Sequence, residues 1–134
     1  FALSAGGRKA AVVTDLGYVT PEVERGIRGA DLLVCEANHD VEWLQAGPYP
    51  YYLKARILGD WGHLSNEAGA ELAWTAVAGG ARTVVLAHLS HENNTPARAH
   101  EVVRGLLERR GAAVGRDVAL EVAPRNEASR RYLV

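Results

Sequence analysis

The stretch Thr83-Val84-Val85-Leu86-Ala87-His88-Leu89-Ser90 decides the fold, because an aliphatic, β-branched run this short is a strand rather than a helix and it runs straight into a histidine. Two other stretches repeat the design. Ala10-Ala11-Val12-Val13-Thr14 runs into Asp15, and Leu32-Leu33-Val34-Cys35 runs into Glu36. In α/β proteins ligands sit in the crevice beyond the carboxyl ends of parallel strands, so three reactive side chains at three such ends are expected to converge on one site. Turns place a polar residue after many strands, which accounts for any one of the three. It does not account for the alignment of all of them.

Working outward, the strand Lys9 to Thr14 leaves through Asp15-Leu16-Gly17, and Thr20-Pro21 supplies an N-cap followed by proline at the first helical position. That helix should fade at Gly29. Between Val41 and Leu58 lie Trp43, Tyr49, Tyr51 and Tyr52 with Pro48 and Pro50, a helix-loop-helix excursion too long for a tight crossover. Ser65 caps a helix running to about Ala78, with Leu72, Trp74 and Val77 as expected core positions and Gly79-Gly80 as its stop. Thr95-Pro96 repeats the cap-then-proline signal before Ala97 to Arg110, where Val102, Val103, Leu106 and Leu107 fall at helical spacing. Val118 to Val122 closes as a strand, and the polar tail from Arg125 to Arg131 is expected to fray. Alternating strands and helices without repeat or linker predict an α/β fold, a parallel or mixed sheet with flanking helices.

Composition excludes several classes. Fifteen basic against sixteen acidic residues leave a net charge of -1 over 134 residues, so the chain is no globally cationic nucleic-acid binder, although a local basic groove remains open to it. Cys35, the single cysteine, rules out an internal disulfide, and its place inside a strand reads as packing. No apolar run approaches the ~20 residues of a membrane helix, and the first residues lack the charged-then-apolar order of a signal peptide. A cytoplasmic protein with no membrane contact is the expectation.

Polar groups gather around the strand ends: Asn38-His39-Asp40 past Glu36, Gly62-His63-Leu64-Ser65-Asn66 at a helix start, and His88-Leu89-Ser90-His91-Glu92-Asn93-Asn94 after the decisive strand. Imidazole and carboxylate are what divalent zinc, manganese or iron accept. In order and spacing, the segments Thr14 to Val19, Cys35 to Asp40, Gly62 to Asn66 and Leu86 to Ser90 resemble the C-terminal half of metallo-β-lactamase-fold hydrolases, above all the YycJ (WalJ) group. Gly47-Pro48-Tyr49-Pro50, Leu53 to Leu58 and Glu92-Asn93-Asn94 carry the likeness further, from about Arg8 to about Ala99.

The resemblance implies an αββα sandwich of which residues 1–134 are the C-terminal half. The His-x-His-x-Asp-His run that supplies most metal ligands in the family is absent, and the resemblance implies that it belongs to an N-terminal half acting as partner. Asp15 matches the bridging aspartate and His88 the last metal-binding histidine, for two divalent ions, zinc or manganese, in the complete protein. Glu36 and His63 match a carboxylate and histidine that the phosphodiesterase branch keeps outside the metal shell. With Asp15 they form the implied catalytic set, His63 protonating the leaving alkoxide.

The function so implied is metal-dependent hydrolysis of DNA phosphodiesters, exonuclease-like, by the complete protein, with this chain inactive alone. An ester or thioester hydrolase of the same fold, or a non-catalytic binding domain, are the alternatives. Single-strand binders combine aromatics with cations, which makes Lys54 and Arg56 candidate substrate contacts together with His39, Ser65 and Asn94 in the site loops. Phe1 to Ser4 reads as a strand that relatives carry into a further His-Asp turn, so residues are expected to be missing before Phe1 and between Ser4 and Ala5.

Overall fold

A computed structural model describes all residues, Phe1–Val134. Its five-stranded sheet runs in sequence order: β1 (Ala2–Ala5), β2 (Arg8–Val13), β3 (Leu32–Glu36), β4 (Thr83–Ala87) and β5 (Ala119–Val122). β1 pairs antiparallel with β2 across a turn at Gly6-Gly7, and the other three pairings are parallel. The mixed α/β sheet read from the sequence is thus present. Parallel register places Val13 beside Cys35, Cys35 beside Leu86 and Leu86 beside Val122, so the strands end level and one edge collects the residues that follow them.

Parallel crossovers are right-handed, and strands laid down in simple order step every crossover the same way, onto one face. Accordingly α1 (Pro21–Ile27), α4 (Asn66–Ala78) and α5 (Pro96–Arg109) pack together there, α4 against β3 and α5 against β5. Each carries the cap its sequence signalled: the hydroxyls of Thr20, Ser65 and Thr95 accept from the Val23, Ala68 and Arg98 amides. The excursion between β3 and α4 holds α2 (Val41–Ala46), capped by Asp40, and α3 (Tyr51–Leu58), which buries none of its residues fully.

The core between sheet and helices is built from Ala11, Val13, Leu33, Cys35, Val84 and Leu86 on the strands with Leu72, Val103 and Leu107 on the helices. Trp74 and Val77 depart from expectation: both are only partly buried, and Ala73 and Ala76 line the contact instead. Small side chains let the backbone of α4 approach the sheet, while Trp74 lies at the rim beneath the Arg110 guanidinium, 5.7 Å from its ring centre. The tail departs too. It forms neither helix nor strand, yet Arg130 pairs with the Glu121 carboxylate and the Tyr132 hydroxyl donates to it at 3.1 Å.

Candidate functional site

Asp15 and His88 are the only non-glycine residues with positive φ, 60° and 57°. Left-handed backbone is unfavourable for residues with a Cβ and collects at functional sites. Here it turns the chain sharply at the ends of β2 and β4, and the two side chains face each other with His88 Nε2 3.7 Å from Asp15 Oδ1. His63, from the loop before α4, brings Nδ1 to 4.0 Å from the same oxygen. One donor atom from each of Asp15, His63 and His88 falls within 4.8 Å of the others, a group able to hold a metal ion.

Behind them lies Glu36, with no exposed surface. A buried carboxylate without partners costs several kcal/mol, roughly what an isolated ion loses on leaving water. This one has four. Oε1 takes His63 Nδ1 at 2.8 Å and His88 Nδ1 at 2.7 Å, and Oε2 accepts from the Leu16 and Leu64 amides, both at 3.2 Å. A carboxylate can only accept, so the proton of each neutral imidazole sits on Nδ1 and each Nε2 is left as a lone-pair donor. The two rings stand 5.1 Å apart at 57°. The resemblance implies a pair of Glu36 with His63; the structure adds His88 to the same oxygen.

The remaining candidates fall into two groups. Several are occupied in holding the loops. Asn94 is buried and donates to Asn66 Oδ1 at 2.7 Å and to the carbonyls of Ala37 and Asn38, while Asn66 answers on Asn94 Oδ1. Asn38 donates to the His88 carbonyl at 2.7 Å, so three asparagines bind the loops after β3 and β4 to the start of α4. Ser65 spends its hydroxyl on the α4 cap, and Lys54 donates to the Gln45 carbonyl at 2.6 Å, joining α3 to α2. His39 is 1% exposed and neither ring nitrogen has a hydrogen-bond partner; burial lowers its pKa and keeps the ring neutral.

Arg56, in contrast, is exposed and lines a cleft that opens from His63 and His88. Trp61 and Arg125 line it too, and both escaped the sequence reading. Trp61 stands two positions before His63, which is a usable signal; Arg125 lies in the tail, where nothing in the pattern points to the site. His91 reaches only its neighbour Glu92 and lies outside the metal-capable group. Cys35 is fully buried and burial pushes its thiol up to about 12, consistent with packing.

Fold and geometry define an α/β protein whose sheet edge holds a metal-capable Asp/His/His cluster oriented by a buried glutamate. The sequence matches no protein-family model. It is 41% identical over 115 residues to exodeoxyribonuclease YycJ of Bacillus anthracis, covering 86% of this chain and 44% of that protein. Over 106 residues it is 42% identical to exodeoxyribonuclease WalJ of Streptococcus pneumoniae, 79% of this chain and 39% of that one. The chain therefore spans less than half the length of these relatives. Over the part that it spans it is a homologue of the YycJ/WalJ exodeoxyribonucleases, which are proteins of metallo-β-lactamase fold.

Proposed function

We propose that this chain is the metal-binding and proton-transfer half of a nuclease that hydrolyses phosphodiester bonds in DNA, residues 1–134 forming part of a metallo-β-lactamase-fold domain. The observation that carries the reading is Glu36 holding two imidazoles by Nδ1, which leaves both Nε2 atoms unclaimed and groups the two rings with the Asp15 carboxylate. Carboxylate-histidine-metal arrays are built in this way: the carboxylate fixes tautomer and ring direction and raises the basicity of the ligating nitrogen. The exodeoxyribonuclease names of the relatives support DNA as substrate.

The donor set fits a divalent ion of the zinc or manganese kind, since it combines imidazole nitrogen with carboxylate oxygen. Asp15 and His88 would hold the ions, two in the complete protein. These two donors fall short of the roughly four that one zinc ion takes, so the remainder would come from a region outside these residues. Bound there, the ions would supply Lewis-acid charge to the phosphate and lower the pKa of a water.

The chain's own contribution is proton management. His63 is partly exposed toward the hollow and anchored on Glu36, so it is placed to hand a proton to the departing alkoxide, with Glu36 stabilising the imidazolium. His63→Ala in the polypeptide that includes the missing ligands is expected to lower turnover on DNA by roughly 100-fold or more with metal content retained. Asp15→Ala and His88→Ala should lose metal, measured by elemental content. Turnover unaffected by His63→Ala would favour an ester or thioester hydrolase that does not use this group.

A further inference from the structure

His88 holds its left-handed backbone, φ 57°, with 44% of its side chain open to solvent, so packing alone does not keep the turn. A residue with a Cβ leaves that conformation unless its surroundings retain it. Two contacts are available to do so. Glu36 Oε1 takes the ring at Nδ1, and the Asn38 side-chain amide donates to the His88 carbonyl at 2.7 Å. That carbonyl accepts no other hydrogen bond. Glu36 grips the far end of the side chain, beyond its rotatable bonds, whereas Asn38 acts on the backbone and fixes the peptide that follows His88.

Asn38 is itself held from both sides. Its N–H donates to the Leu64 carbonyl at 2.9 Å, one residue past His63, and its carbonyl accepts from the Ser90 amide at 2.7 Å, two residues past His88. The same residue therefore bonds to the loops that carry both rings. Its residue type follows from the geometry: a carbonyl offers only lone pairs, so the partner must donate, and aspartate has the same shape with no proton to give. Asn66 and Asn94 differ, because they bond to each other and Asn94 to the Ala37 and Asn38 carbonyls, and neither reaches His88.

Resting on the reading of His88 as a metal ligand, we infer that Asn38 is a positioning residue: its side-chain amide holds the left-handed turn at His88, and so keeps Nδ1 on Glu36 and Nε2 free for a metal ion. Asn38 acts through His88 and is not a ligand.

The test begins on the metal-free 134-residue chain, with long-range proton–nitrogen correlation spectra that read which ring nitrogen of each histidine carries the proton. In the unaltered chain His63 and His88 are both expected to carry it on Nδ1. Asn38→Ala and Asn38→Asp both remove the donor, and the second keeps the shape should the first fail to fold. In each, His88 is expected to lose its fixed tautomer and average between the two, while His63 keeps its proton toward Glu36. In the polypeptide that includes the missing ligands, zinc affinity, measured by competition with a chromophoric chelator, should fall about 10- to 100-fold in both variants, the range for groups that orient a ligand. A merely structural asparagine gives another pattern: the two histidines lose their tautomers together, or the urea midpoint falls with both tautomers kept. Either result overturns the assignment, as does an effect of Asn38→Ala that Asn38→Asp lacks, or an unchanged zinc affinity. The hydrolase reading fails on a different observation, zinc binding that does not depend on Asp15 and His88. A His88 tautomer set by Asn38 without such binding would sink the hydrolase and keep the positioning role; zinc binding with a tautomer indifferent to Asn38 would do the reverse.

Discussion

A carboxylate sealed from water keeps its charge only through donors, and Glu36 takes two imidazole and two backbone N–H groups on its two oxygens. The Glu36→Gln substitution preserves shape but replaces one oxygen by an NH₂ donor. The four donors then face a single acceptor. Backbone amides cannot change their protonation, so the Gln oxygen is expected to stay with Leu16 and Leu64; the NH₂ then faces the two rings, whose protons shift to Nε2, where a metal would bind. Zinc affinity is expected to fall about 10- to 100-fold, as for other outer-shell carboxylates, measured by competition with a chromophoric chelator. Unchanged affinity would mean that Glu36 does not set the tautomers. How far this residue was legible is instructive. Its place at a strand end marked it as chemical, and the resemblance assigned it to His63. That it also orients His88 follows only from the equal lengths of β3 and β4 and the left-handed turn at His88, neither of which is a local property of the sequence.

Among the elements, α4 sets the depth of the site. Gly69 lies against the end of β3, and a Cβ there would stand 2.3 Å from the Glu36 carbonyl oxygen. Gly26 in α1 faces open space, with no atom within 4 Å of such a Cβ. The same change to alanine should therefore act oppositely at the two positions. Gly26→Ala gains helix propensity and is expected to stabilise by up to about 1 kcal/mol. Gly69→Ala gains the same propensity but forces helix and strand apart, for a net loss of about 1–3 kcal/mol. Urea midpoints decide both, and stabilisation at Gly69 would refute the close approach. Helix ends were readable because Thr20, Ser65 and Thr95 announce themselves by chemistry. The buried face of α4 was not: with alanine available, packing chose Ala73 and Ala76 over the larger Trp74 and Val77, a choice set by how near the sheet comes.

Across the whole molecule, the charges that tie elements together share one direction. The Lys9 amide and the Arg8 guanidinium hold Asp31 below its usual pKa, Arg130 does so for Glu121, and Arg116 with the Ala113 amide brings Asp117 to about 2. At Asp40, the α2 cap, burial is the largest influence and opposes the charge. The Trp43 amide and Arg98, whose Nε lies 2.7 Å away on α5, together overcome it and lower the pKa. His39 also shifts downward, because burial penalises its cation. A depressed pKa means that the folded state binds fewer protons than the unfolded chain at intermediate pH. Each group therefore contributes stability that is present above its ordinary pKa and lost as pH falls. Two descending steps are expected on acidification. The upper begins below about 6.5 as the unfolded chain protonates His39, and the lower begins below about 4 as it protonates the carboxylates. Urea midpoints taken from pH 8 to pH 3 should fall in both windows. His39→Gln, whose amide does not titrate, should remove the upper step and keep the lower. Midpoints that hold constant down to pH 3 would mean that these carboxylates titrate alike in the folded and unfolded chain, and an upper step that survives His39→Gln would place its origin on another imidazole.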